Sequence, residues 1–94
     1  MRIEGVIWLR EVVDKIAFKH HVELIEVEQV LNNKPKIRFV EKGERKGEDV
    51  HMALGKTDAG RYLAVLFIYK RSNEALILSA RQMANKERRK YGKK

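Results

Sequence analysis

The chain has no cysteine and a single proline in 94 residues. Without cysteine there is no disulfide framework, no thiolate nucleophile and no cysteine-based zinc site. Long hydrophobic runs are missing too. The longest, YLAVLFIY at 62–69, falls far short of the roughly 20 residues a spanning helix needs. Glu4, Arg10, Glu11, Asp14 and Lys15 break up any signal-like core near the start, so a soluble, cytoplasmic protein with no membrane partner is expected. There is no P-loop, no GxGxxG and no GxSxG. Histidine occurs only at 20, 21 and 51. The adjacent pair is poorly spaced for facial ligation and no carboxylate cluster joins it, so neither a metal nor another cofactor is expected.

Anions are scarce in one place above all. The net charge is +8, and residues 81–94 hold seven cations against the lone carboxylate Glu87, a local +6. That leaves +2 for residues 1–80. A basic patch so concentrated suits nucleic acid or an acidic protein partner better than a membrane surface, because its only large apolar side chains are Met83 and Tyr91. A solvated tail would read the same way. Lys93 and Lys94 extend the patch as diffuse charge.

The hydrophobic content is 44%, ordinary for a folded chain, and the length suits one domain over 1–94. RIEGVIW reads as a short strand. Leu9, Val12, Val13, Ile16, Ala17 and His20 then recur at helical spacing. A second helix is expected over about 23–32, with Leu24, Val27, Val30 and Leu31 inward, stopped by NNKP. From there the period becomes two: KIRFVE and DVHMALG alternate, RYLAVLFIY is apolar throughout, and EALILSA follows. Short turn-rich connections suggest an antiparallel meander, and a helix over about 85–91 closes the chain. The expected fold class is α+β: two N-terminal helices on a mainly antiparallel sheet of four to five strands, with a short basic C-terminal helix.

The loop lengths suggest pairing Gly55 with Arg61 and Tyr69 with Ala75. One sheet face then carries Met52, Leu54, Tyr62, Ala64, Leu66, Ile68, Leu76, Leu78 and Ala80, and is expected to take the helices. The other brings His51, Ser79 and Arg81 together with Arg61 at the rim. A one-residue slip would exchange the faces. In this register Arg81 lies opposite Leu63, and Arg61 and Arg81 are expected to grip one phosphate.

The segments W at 8, KH at 19–20, GKTDAGRYL at 55–63 and ILSARQMANKERRKY at 77–91, in that order, resemble the BrnT family. Those proteins are ribonuclease toxins of type II toxin–antitoxin pairs, similar in fold to RelE. The resemblance implies metal-independent cleavage of RNA by attack of a 2′-hydroxyl on the adjacent phosphate, and silencing by a BrnA-like antitoxin in an assembly of higher order. It singles out Trp8, Lys19, His20, Gly60, Arg61, Arg81, Met83, Glu87, Arg88 and Tyr91. His20, Arg61, Arg81 and Tyr91 are the expected catalytic residues. Lys19, His51, Lys86, Arg88, Arg89 and Lys90 are expected to contact RNA, with Glu87 orienting an arginine. Two positions depart from the family: Leu9 replaces an aspartate cap, and Ala84 stands where a threonine would cap the last helix, leaving Asn85 as the expected cap. The alternatives are a non-catalytic nucleic-acid-binding module and an inactive structural partner in a toxin–antitoxin-like complex.

Overall fold

The computed structural model describes residues 1–92; the expectation for Lys93 and Lys94 lies outside them. Eight elements run in the order β1 (Gly5–Ile7), α1 (Arg10–His20), α2 (Leu24–Asn32), β2 (Lys36–Glu41), β3 (Val50–Lys56), β4 (Tyr62–Tyr69), β5 (Glu74–Gln82) and α3 (Asn85–Gly92). The five strands form one mixed sheet, ordered β1-β5-β4-β3-β2. β2 to β5 are an antiparallel meander, and β1 adds to the outside of β5 in parallel. No described helix is long and apolar enough to cross a membrane.

Both N-terminal helices are bounded by local chemistry. α1 closes through His21, a non-glycine residue with φ of 53°. Its N–H donates to the Ala17 carbonyl while that of Val22 reaches back to Ile16, so both donors are satisfied as the chain turns off the helix. Leu9 stands at the N-terminal cap of α1 with no side-chain bond. At the start of α2 the Glu26 carboxylate accepts the Glu23 backbone N–H at 3.0 Å.

The apolar stripes of these helices, led by Ile16, Val27 and Val30, are buried on Ala53, Leu63, Val65, Phe67, Ala75, Ile77 and Ala80. Each large side chain fully buried there stabilises by about 1.5–3 kcal/mol. Gly55 lets α2 approach closely: a Cβ there would meet Val30 at 3.0 Å and Pro35 at 3.2 Å.

The helices therefore cover the sheet face opposite to the one expected for them. The cause is a β-bulge. Tyr69 does pair with Ala75, but the register shifts between Leu66 and Phe67, with Phe67 opposite Ile77 and Leu66 opposite Ser79. β5 thus carries one extra residue, Leu78, and every later side chain changes face relative to an unbroken ladder. Ser79 and Arg81 leave the helix side and Ala80 enters it, so that side becomes the apolar one. Arg81 lies opposite Ala64, and Gln82 takes the expected place opposite Leu63. The β3–β4 turn is also longer than assumed, so Gly55 pairs with Leu63 rather than with Arg61. On the second face α3 reaches only the end marked by Leu54, Ala64, Met83 and Tyr91. Val50, Leu66, Ile68 and Leu76 beyond it stay half-buried.

Candidate nucleic-acid interface

Arg61 is placed by the turn that precedes it. The Thr57 side chain is buried, its hydroxyl accepts the Arg61 N–H at 3.0 Å, and the Thr57 N–H donates to the Arg61 carbonyl. Gly60 closes the turn with φ of 91°, a conformation that costs a side chain but not glycine. Asn33 and Gln29, near the end of α2, hold Lys56 and Asp58 by hydrogen bonds of 2.9–3.0 Å. Arg61 then reaches the α1–α2 side, where its Nη1 donates to the His21 carbonyl at 2.8 Å and to both Glu26 oxygens at 2.9 Å. Lys19, exposed, and His20, half-buried, end α1 beside that carbonyl.

Arg81 occupies the opposite face. Its Nη1 and Nη2 donate to the two Glu87 oxygens at 2.7 and 2.8 Å, and Nη1 also reaches the Gln82 carbonyl. Arg61 and Arg81 consequently do not converge on one point, and the expected shared phosphate clamp is not formed. Each fork is tied to its own carboxylate, on either side of the sheet, because the bulge at Leu78 turned Arg81 over. Glu87 also serves the helix it belongs to. Its Oε1 accepts the Ala84 N–H at 2.8 Å, while the Ala84 carbonyl accepts from Arg88. Ala84, not Asn85, is therefore the cap position of α3; the glutamate makes the half of a capping box that satisfies the Ala84 N–H, while alanine offers no hydroxyl for the other half.

The Arg81 bonds hold the Glu87 carboxyl below the usual carboxylate range, against its partial burial; the Ala84 N–H and the Arg81 and Arg38 charges add to the lowering. Those same bonds raise Arg81 further above an already basic value. A carboxyl with a lowered folded pKa stabilises above its unfolded value, near 4.3, and that contribution is lost as pH falls through the folded one. Glu87→Gln is expected to cost about 1–2 kcal/mol at neutral pH, after solvent screening at the more exposed Arg81 is allowed for. Thermal melts of the two proteins should converge as the solution is acidified below about pH 4.3. Coincident melting temperatures at every pH would mean that this pair contributes nothing to stability.

Around α3 the rings and cations interlock. The Arg88 guanidinium carbon sits 4.0 Å from the Tyr62 ring centroid, and Lys56 Nζ is 5.5 Å from the same ring. Tyr91 meets Tyr62 edge-on at 5.9 Å and carries Lys36 Nζ 5.6 Å from its own centroid. Lys86, Arg89 and Lys90 are exposed on α3. An open depression of about 310 Å³ is lined by Gly60, Arg61, Tyr62, Gln82, Met83 and Arg88, so the α1–α2 side and the α3 side meet at this end of the sheet.

His51 is not part of this group. It lies at the far end of β3, stacked on Phe67 at 5.8 Å and edge-on to Phe39 at 6.0 Å. Tyr62, Lys36 and Lys56, conversely, were not singled out in the sequence. Tyr62 was hidden in an apolar run, and the two lysines take their place from strand alternation alone. Trp8 packs beside the core and its Nε1 donates to Glu28 at 3.2 Å. Among the described residues no three His, Asp or Glu side chains are grouped as a metal site.

A mixed five-stranded sheet with α1 and α2 on one face, α3 at one end of the other, and cations interleaved with tyrosines there defines a class of small basic α+β proteins. The family model for the ribonuclease toxin, BrnT, of type II toxin–antitoxin systems matches residues 13–87, and the chain belongs to that family. Membership implies an RNA target and a cognate antitoxin protein as partner. Trp8, Arg88 and Tyr91 lie outside the matched stretch. No curated protein shows a significant match to the chain.

Proposed function

We propose that the protein is the toxin of such a pair and a metal-independent endoribonuclease. The observation that carries this reading is the meeting of Arg61, Arg88 and Tyr62 in one open depression next to the end of α1. RNA is commonly held by phosphate contacts together with bases stacked on aromatic or guanidinium planes. In this mechanism a 2′-hydroxyl attacks the adjacent phosphate, breaking the bond to the 5′-oxygen of the next nucleotide. His20 moves the proton, Arg61 stabilises the charge that grows on the non-bridging oxygens, and Tyr91 holds the neighbouring wall. Arg61 uses Nη1 alone in its hydrogen bonds, which leaves the other edge of its fork for a phosphate. Lys19, Lys86, Arg89 and Lys90 follow the backbone. Arg81 and Glu87 set the position of α3 rather than touch the reacting atoms.

The same reading takes 1–94 as one RelE-like toxin domain working in the cytoplasm, silenced by a BrnA-like antitoxin in a complex of higher order. Cleavage of a single-stranded RNA in EDTA should yield fragments ending in 2′,3′-cyclic phosphate and 5′-hydroxyl, detected by mass spectrometry. Cleavage that needs a divalent ion and leaves 5′-phosphate ends would refute the mechanism. RNA bound firmly but returned intact would make the protein a binding module.

A further inference from the structure

We infer that Tyr62 and Arg88 together form a stacking platform for one unpaired RNA base; this rests on the RNA reading above and adds to it a subsite and a requirement for single-stranded substrate. Arg88 is exposed, yet its guanidinium does not extend into solvent: it lies 4.0 Å from the centroid of Tyr62. Tyr62 is held from the other sides. It opens β4 beside the turn that fixes Arg61, pairs with Lys56 across the ladder and meets the Tyr91 edge at 5.9 Å. A guanidinium lying over a ring is planar, delocalised and weakly hydrated, so its outer surface accepts a second flat partner at little cost.

The platform borders the same depression as Arg61. A chain whose phosphate sits at Arg61 would therefore present an adjacent base to Arg88. A base within a duplex has both faces covered by its neighbours, so only an unstacked one can be accommodated.

The probe is an oligoribonucleotide carrying 2-aminopurine, with a 2′-deoxy residue at each cleavable position so that binding is read alone. Wild-type protein is expected to quench the fluorophore. Replacing that base by an abasic site should weaken binding about 5- to 150-fold, the range for one stacked base. Arg88→Lys keeps the charge and the helix propensity but has no plane. It should lose the quenching, bind the intact probe as weakly as wild type binds the abasic one, and show the same salt dependence. Equal wild-type affinity for intact and abasic probes, or undiminished quenching by Arg88→Lys, would overturn the platform while leaving the ribonuclease reading in place. Failure of the wild type to bind either probe would overturn both.

Discussion

A His20→Ala variant is expected to cleave RNA about 10²–10⁴-fold more slowly at saturating substrate, the usual contribution of a positioned general acid or base. Retention of a non-cleavable RNA should change little. The case for this histidine is positional. It ends α1 one residue before the carbonyl that Arg61 grips at 2.8 Å, so it shares an anchor with the residue assigned to the phosphate. His51 supplies the comparison. It lies six residues along β3 from Thr57, roughly 20 Å at strand spacing, and its ring is engaged by Phe39 and Phe67. If His51→Ala carried the rate loss and His20→Ala did not, the chemistry would sit at the opposite end of the sheet.

Arg61→Lys is the second large effect, an expected loss of about 10²–10³ in saturated rate, the size of a lost oxyanion donor. Lysine keeps the charge and can still meet Glu26, but it cannot hold the His21 carbonyl and the carboxylate while presenting a second donor edge. A purely structural clip is the competing account, and it has real support: the pair is largely shielded and joins the start of β4 to the α1–α2 corner. Glu26→Gln separates the two. It weakens the same clip without touching the guanidinium. Under the catalytic assignment Glu26→Gln lowers the melting temperature with turnover nearly retained, whereas Arg61→Lys loses turnover out of proportion to its melting temperature. Wild-type turnover by a folded Arg61→Lys protein would leave the residue as a clip only.

The helices and strands were legible because their periods differ and their stops are chemical. Leu24, Val27 and Val30 mark one stripe of α2, and the alternation in KIRFVE and DVHMALG marks β2 and β3. The partner of β1 was not legible, since nothing in GVI says which strand it joins or in which direction. The bulge left no trace either: EALILSA reads as an unbroken strand, and that reading put Leu76, Leu78 and Ala80 together on the face expected to take the helices, whereas Ile77 and Ala80 share it. That single offset displaced Arg81, reversed the helix-bearing face and removed the expected clamp. Motif spacing fared differently. GKTDAGR is the turn that sets Arg61, and the Arg81 to Glu87 spacing is the bond that seats α3. The residues were marked, while the face each would occupy was not. Ala84 does lack the hydroxyl of a capping residue, but its own N–H still meets Glu87, a side chain the sequence assigns only to an arginine.

Leu78 also decides what a lost codon would do to this gene. A strand in an unbroken ladder cannot shed an interior residue without turning every later side chain to the wrong face. β5 holds one residue more than its partner needs, so it has one to give up. With Leu78 deleted, Ile77 and Ser79 would become neighbours and still face Phe67 and Leu66, and Arg81 would still meet Ala64. The bulge and its added twist would vanish, while the Arg81–Glu87 pair kept its phase. Loss of Ala80 would draw Leu78 into the ladder instead, which also spares Arg81 but sets Ser79 opposite Val65 in the core. A gained codon meets no such reserve: it must be housed in a wider bulge, or Arg81 turns to the helix side. Between Ile77 and Arg81 the ladder therefore accommodates a deletion with less disturbance than an insertion.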